Sequence, residues 1–316
     1  MDPEIKDSVK QTSQTTWALG SSIICEKNAA SPINSIQSWI DGSDRWDLRR
    51  KKSDEVHTAC DRTDVDMIHA AGTSAAVWSI GTSVICKVKS WIEGLQSESD
   101  TITFAKAMLS PHMVPDVLHT WVDSALDRSF TVERRVIGTT LDVAWPSLSG
   151  LQKTAIASEV AACCHILAQT TSRSFETVHH RGIVESFLGS RDFYSPEPSW
   201  KPFLLPVLPP TEFQSFTAAY FQGQYPLVDE GFVFYHADLG PGNIMVHNGL
   251  LRGIIDWESA GFYPRWWISL KPKLSAGFLL SPGVATDRKE WVKLLTGELE
   301  MLDYKPPSTQ YTRKTI

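Results

Sequence analysis

Apolar and polar residues alternate along the first half of the chain, and then give way to helical spacing. Ala75–Ile80 and Ser83–Val88 read as two strands, with Gly81-Thr82 between them as a hairpin turn. Ser97–Leu109 predicts a helix, because Ile102, Ala105, Met108 and Leu109 share one face. Val117–Val122 and Ser129–Val136 predict two more strands, with Ser124–Arg128 as their turn. From Thr140 the period changes. Leu148–Thr170 predicts a long amphipathic helix, Thr211–Gln222 a helix with Phe213, Phe216 and Tyr220 on one side, and Thr286–Leu302 a last helix with Trp291, Leu294, Leu295 and Leu302 inward. Ser195–Pro210 holds six prolines and predicts an irregular segment, while Arg181–Leu188 has no clear period. In the first sixty residues, Ser35–Ile40 predicts a short helix and Arg49-Arg50-Lys51-Lys52 a solvated basic face or linker. The last ten residues read as frayed.

One hairpin carries the chemistry. Asn243–His247 reads as a strand, Asn248-Gly249 is a strong two-residue turn signal, and Leu250–Ile255 returns. Just before it stands His236-x-Asp238-Leu239-x-x-x-Asn243, and just after it Asp256. This is the spacing of a phosphoryl-transfer catalytic loop, H-R-D-L-x-x-x-N, followed by a metal-binding aspartate. Four fixed positions of this kind arise by chance in on the order of one chain in a thousand, so an incidental match is the weaker reading. Phosphoryl transfer asks a protein for positioning and charge neutralisation. Asp238 is the candidate for the carboxylate at the attacking hydroxyl. Asn243 offers an amide oxygen and Asp256 a carboxylate to magnesium, which takes oxygen ligands. Gly240, Pro241 and Gly242 force a tight, non-helical path that keeps Asp238 and Asn243 on one loop. The competing structural reading is a buried hairpin with an incidental acid at each end.

Such a site also needs a cation for the nucleotide phosphates. Lys87 lies inside the apolar strand Val84–Val88, where a charge is expensive to bury without a partner, and Glu98 opens the next helix. Lys89 shares the strand face of Lys87 and is the competitor; Lys87 is preferred because apolar residues flank it on both sides. No G-x-G-x-x-G loop precedes it, and Gly72 and Gly81 supply the nearby glycine turns.

Composition narrows the setting. At 316 residues and 42% hydrophobic content, the chain supports one large domain or two lobes. A net charge of −6 gives no field for nucleic acid. Five scattered cysteines (25, 60, 86, 163 and 164) have no zinc spacing and read as free thiols of a reducing compartment. The opening MDPEIKDSVKQTSQTT has no apolar core of a secretory signal. The most apolar helix, Thr154–Thr170, carries Glu159 and His165 and is too short and polar to span a bilayer. The expectation is a cytoplasmic protein without a membrane or nucleic-acid partner.

From Val77 to Leu302 the chain resembles the aminoglycoside phosphotransferase/choline kinase group, especially the branch common in fungi. The resemblance is carried by Val84–Val88, Glu98–Phe104, Gly138–Leu141, His236–Asn243 and Gly253–Glu258, with Ala260–Pro264 and Trp266-Trp267 following. It implies an α+β, bilobal protein-kinase-like fold: an N-terminal extension over 1–60, a strand-rich nucleotide-binding lobe over 61–138 and a mainly helical catalytic lobe over 139–316. It implies ATP in the cleft, Asp238 as base, Asn243 and Asp256 on Mg2+, the Lys87–Glu98 pair on the nucleotide, and His236 as a support of the loop. The sequence departs from the group at Ala237, where glycine is common, and at Arg134, where an acid is usual and Glu133 stands beside it.

A protein kinase is disfavoured: Pro264 follows Asp256 within eight residues and no A-P-E comes after it. A non-catalytic binding protein typically loses one of Lys87, Asp238, Asn243 or Asp256, and all four are present. A kinase fold reused for acid/base chemistry on a metabolite stays open. For the acceptor, Glu290, Glu298, Glu300 and Asp303 read better as a solvated face than as a cation site, and Trp257, Trp266 and Trp267 better as core than as a wall. The expected function is ATP- and magnesium-dependent transfer of phosphate to a hydroxyl of a small intracellular metabolite.

Overall fold

Ten antiparallel strands make two five-stranded sheets in the first of two units, and the chain's tryptophans decide how these sheets meet. The computed structural model describes residues 4–28, 34–52, 67–188, 202–218, 221–222, 228, 231–305 and 312–313. Within these, the first unit runs up to Glu93 and takes in Asp116–Arg135; the second takes Gly94–Pro115 and most of the chain from Val136 on.

The first sheet comprises β1 (Val9–Ser13), β2 (Thr16–Leu19), β3 (Ile23–Asn28), β4 (Ser35–Asp41) and β5 (Asp44–Arg50), in the order β1-β2-β3-β5-β4. The second comprises β6 (Met67–Ala71), β7 (Ala75–Ile80), β8 (Val84–Ser90), β9 (Val117–Asp123) and β10 (Arg128–Arg134), in the order β6-β7-β8-β10-β9. Each sheet turns one set of alternate residues inward. Trp17, Leu19, Trp39, Trp46 and Leu48 from the first meet Trp78, Ile80, Val84, Cys86, Val88, Phe130 and Val132 from the second in one core. Burying a side chain of this size contributes about 1.5–3 kcal/mol, so this interface holds the unit together.

Ser35–Ile40 is therefore a strand and not the short helix its local pattern predicts. Trp39 stands opposite Trp46 in the β4–β5 register, and their rings stack at 6.3 Å. That cross-strand pair overrides a weak local preference. The basic run is not a linker at its start either: Arg49 lies in β5 and makes a fork to both carboxylate oxygens of Glu26 at 3.0 and 3.1 Å.

Two aspartates clasp turns of one sheet to the other. Asp41, at the end of β4, accepts from Thr82 N at 2.6 Å, Thr82 Oγ1 at 2.5 Å and Ser83 N at 3.3 Å. Asp123, at the end of β9, accepts from Ser21 N at 2.5 Å and Ser21 Oγ at 2.9 Å. The β7–β8 hairpin is as its spacing predicts, with Ile80 opposite Val84. Gly81 in its turn has a φ of +65° and touches Asp41 so closely that a Cβ would collide with the carboxylate.

This sandwich also settles the faces of β8. Val84, Cys86 and Val88 point into the core, so Lys87 and Lys89 point to the other face. Lys87 stands between Val77 and Thr131 and is 7% exposed, whereas Lys89 is half-buried at the strand end between Ala75 and Ser129. Glu133 is buried and Arg134 exposed.

The second unit contains α1 (Glu98–Lys106), β11 (Thr139–Thr140), α2 (Leu141–Ala144), α3 (Gly150–Leu167), β12 (Thr171–Ser172), α4 (Pro210–Ala218), β13 (Phe221–Gln222), β14 (Phe232–Tyr235), β15 (Ile244–His247), β16 (Leu250–Ile254), β17 (Gly261–Pro264), α5 (Trp267–Leu274), α6 (Glu290–Met301) and β18 (Thr312–Arg313). Small sheets β11-β15-β16 and β12-β14-β17 present the loops of interest, and β13 pairs with β18. A capping box formed by Ser149 and Gln152 starts α3, which packs on α6. The ends of α1, α3 and α6 fall inside the predicted ones, as fraying ends do, and α4 starts one residue before its predicted start.

Residues 195–201 of the proline-rich segment lie outside the described residues, as does Tyr220. The rest of that segment is irregular and bridges Ile183 to Leu205 and Phe175 to Leu208. Cys25, Cys86, Cys163 and Cys164 are free and buried, and Cys60 is outside the described residues. Burial, and then Glu159, pushes the Cys163 thiol up to about 11, so it is chemically inert at neutral pH. Among the described residues no helix is long and apolar enough to cross a membrane. The α+β class is as expected: strand-rich toward the N-terminus, largely helical toward the C-terminus.

Candidate active site

One histidine joins the start of the loop between β14 and β15 to the residue that follows β16. His236 Nδ1 accepts from the Asp238 backbone N–H at 3.2 Å, which leaves Nε2 to carry the proton and donate to the Ile255 carbonyl at 3.1 Å. The ring meets Trp257 edge to face at 4.5 Å. A single buried side chain thus ties the loop to the end of β16, where Asp256 sits. Its neighbours are strained: Ala237 has a φ of 64° and Asp256 a φ of 66°, uncommon for residues with a Cβ. Strain of this kind persists where surrounding bonds over-determine it, and here His236 and Glu98 do so. Glu98 is buried on α1, and its Oε1 accepts from the Trp257 backbone N–H at 3.0 Å, immediately after Asp256.

Asn243 binds the loop from within. Its Nδ2 donates to the Asp238 carbonyl and to Asp238 Oδ2, each at 2.9 Å. Its own backbone accepts from Ile255 N at 2.9 Å. With both amide hydrogens so used, the amide oxygen is the group left for a cation. Asp256 adds a carboxylate. Two protein oxygens suit magnesium, which completes its shell with waters and phosphates, so these residues fit that ion. Among the described residues no cluster of three or more His, Cys, Asp or Glu could hold a metal by itself.

Asp238 is largely buried. Burial first, and then the Asp256 carboxylate, raise its pKa above the usual aspartate value; Lys271 and the Asn243 hydrogen bond oppose the shift. The structure therefore brings together Asp238, Asn243 and Asp256. It places Glu98 beside Asp256 through Trp257, and it places Lys87 in the first unit, on the face of β8 opposite its core.

Sequence reasoning missed two charged residues. Lys271 of α5 pairs with Glu185 at 2.5 Å, and both are almost wholly buried. The Lys271 ammonium also sits 4.6 Å from the Phe187 ring centroid, and Phe187 N donates to Glu185 Oε1 at 2.9 Å. A signal was present: Lys271 directly follows the largely apolar stretch Trp266–Leu270, in a helix, as Lys87 interrupts Val84–Val88 in a strand.

Three of the acids in or just after the last helix have partners within the protein. Glu290 accepts from Trp145 Nε1 at 2.8 Å, Glu300 lies 3.6 Å from Lys273, and Asp303 pairs with Lys305 at 2.9 Å. Trp257 and Trp267 are fully buried and Trp266 nearly so; they are packing residues.

The Asp238 loop and the hairpin after it have the spacing of a kinase-type site, and the family follows from comparison. A family model described as the phosphotransferase enzyme family (APH) matches residues 101–267, more than half of the chain; the protein belongs to this family. The matched span includes Asp238, Asn243 and Asp256 and stops short of Lys87 and Glu98. Among solved structures, the chain is similar to the streptomycin–ATP complex of aminoglycoside phosphotransferase APH(2")-IIa, at 13% identity over 74% of this chain and 76% of that one, with a TM-score of 0.45. It is similar to an apo thermostable mutant of aminoglycoside phosphotransferase APH(4)-Ia at 16% identity, over 76% and 80% of the two chains, with a TM-score of 0.43. It is also similar to the aminoglycoside-3'-phosphotransferase of type VIII at 15% identity, over 76% and 86%, with a TM-score of 0.43. No curated protein matches the chain.

Proposed function

We propose that the protein moves the γ-phosphoryl group of ATP to a hydroxyl of a small-molecule acceptor, with Asp238 as the base. The observation that carries this reading is the asymmetric use of the Asp238 carboxylate: Oδ2 is held by Asn243 at 2.9 Å, and Oδ1 is left to take a proton. In the transfer, the acceptor oxygen bonds to the γ-phosphorus and its proton passes to Asp238 Oδ1. The bond between phosphorus and the β–γ bridging oxygen breaks, and ADP leaves with the electron pair. Asn243 and Asp256 would hold Mg2+, which neutralises phosphate charge when bound. Asn243 orients the base, and His236 fixes the loop that carries it. Lys87 is the proposed cation for the nucleotide phosphates, with Glu98 as its nucleotide-side companion. Family membership supports phosphotransfer, and the absence of an A-P-E signature supports a small acceptor over a protein.

Calorimetric titration with ATP, with and without magnesium, tests this reading. Saturable binding that strengthens with magnesium is expected, followed by phosphate transfer to members of a hydroxylated-metabolite panel that includes streptomycin and hygromycin B. Folded protein that binds no ATP in either condition overturns it. Lys87→Ala is expected to raise the apparent KM for ATP; the same effect from Lys89→Ala alone would move that role to Lys89.

A further inference from the structure

α1 has no side-chain cap, yet it holds the backbone beside Asp256. Its N-cap residue, Ser97, makes no side-chain bond to the helix, and a helix of nine residues is marginal by itself. Its place is therefore set from outside. Gln96, one residue before the cap, is buried and uses both ends of its amide. Oε1 accepts from Thr177 Oγ1 and from His179 N, each at 3.2 Å, and Nε2 donates to Asp100 Oδ2 at 2.8 Å. The backbone N–H of His179 can only donate, which fixes which end of the amide is which. Beside it, Arg181 Nη1 donates to the Leu95 carbonyl at 2.9 Å.

The turn that receives Gln96 is tied to the strand after Asp256. Thr177 N donates to the Arg181 carbonyl at 2.9 Å and closes the turn, and Phe262 N of β17 donates to the Glu176 carbonyl at 2.8 Å. Gly261 sits so close that a Cβ there would lie 2.8 Å from Ile183 Cδ1 and 3.0 Å from the Glu176 carbonyl oxygen. Further along α1, Phe104 packs against Phe234 and Phe262, with centroids 4.8 and 6.1 Å apart. A closed circuit of contacts results. It starts at the Trp257 N–H on Glu98, passes back to Gln96, crosses to Thr177 and His179, and returns through Glu176 to Phe262. Asp256, with its left-handed φ, stands directly before the first bond of that circuit.

Resting on the phosphotransferase reading, we propose that Gln96 is a positioning residue for the magnesium site. Gln96 seats the start of α1, α1 seats Glu98, and Glu98 holds the backbone after Asp256 in the strained shape that presents its carboxylate. A strained residue keeps its shape only while its surroundings over-determine it, and Gln96 supplies the side-chain link that closes the circuit. Its loss loosens the Asp256 turn and weakens magnesium-dependent ATP binding, while the Asp238 loop keeps its own bonds from His236 and Asn243.

The test sets the full chain against Gln96→Met, which keeps the volume and removes the amide, with two readouts: hydrogen exchange of the Trp257 backbone amide, and ATP affinity by calorimetry with and without magnesium. Gln96→Met should speed Trp257 exchange by about tenfold. It should also cut the magnesium-dependent gain in ATP affinity by about three- to tenfold. Thr177→Val, which removes one donor to Gln96 Oε1, should shift both readouts the same way by less, and keeps the test decisive if Gln96→Met does not fold. Ser149→Ala, which uncaps α3, should lower the melting temperature and move neither readout. In a Glu98→Ala background, Gln96→Met should add little to either, because the link it acts through is gone. Unchanged Trp257 exchange in folded Gln96→Met overturns the proposal. So does faster exchange with an undiminished magnesium effect, an equal shift from Ser149→Ala, or full additivity with Glu98→Ala. Folded wild type that binds no ATP overturns the phosphotransferase reading itself, and the exchange measurement, which needs no ligand, still decides whether Gln96 seats the Asp256 turn.

Discussion

Asp41 and Asp238 each hold a turn in place, but they spend their oxygens differently. Asp41 takes three hydrogen bonds on its two oxygens, from Thr82 and Ser83. Burial would raise its carboxyl pKa, but these donors outweigh that and hold it below 3.8. Asp238 takes one side-chain bond, on Oδ2 alone, and burial with Asp256 holds its carboxyl above that value. The first carboxylate is satisfied and purely structural. The second is under-satisfied and destabilised in its charged form, which is the condition of a group that gains by accepting a proton. The number of donors on the carboxylate separates the two roles.

Substitutions can break or sharpen this contrast. The largest effect expected is from Asp238→Asn, which should lower kcat by about 10²–10⁴-fold and leave ATP affinity largely intact. Because it removes a desolvated charge, it should also leave the melting temperature equal or raised. Retained turnover would remove Asp238 as base. Asp256→Ala should abolish the magnesium-dependent part of ATP binding in the same calorimetric assay; unchanged affinity would mean that the metal is held elsewhere. Lys271→Ala strands the buried Glu185 carboxylate and should destabilise the protein by about 3–5 kcal/mol in urea unfolding. Pairing it with Glu185→Gln should recover part of that loss.

Asp41→Ala should cost about 1–2 kcal/mol, since the turn's donors lose a charged acceptor near the surface. The smallest effect concerns pH. The folded pKa of Asp41 is depressed, so its contribution is fully present above the unfolded value of 3.8 and is lost as pH falls through the folded one. The stability gap between wild type and Asp41→Asn should therefore shrink on acidification below about pH 4. A gap that stays constant would assign the effect to packing rather than charge.

The hairpin that carries Asn243 and Asp256 was legible because everything it needs is local. Asn248-Gly249 fixes the turn, the turn fixes the register, and the register brings Asp256 back to Asn243. The β7–β8 hairpin was readable for the same reason. The first sheet was not, since Trp39 and Trp46 specify β4 and β5 only by meeting each other and the Trp78 face of another sheet. Lys271 and Glu185 are 86 residues apart, and neither position announces the other.

The sandwich of the first unit has a practical side. Starting the chain at Met67 would strip β1 to β5 from Trp78, Ile80, Val84, Cys86, Val88, Phe130 and Val132. A freshly bared sheet of that kind is sticky, and recombinant protein shortened in this way should aggregate during expression even though every residue of the Asp238 loop is still encoded.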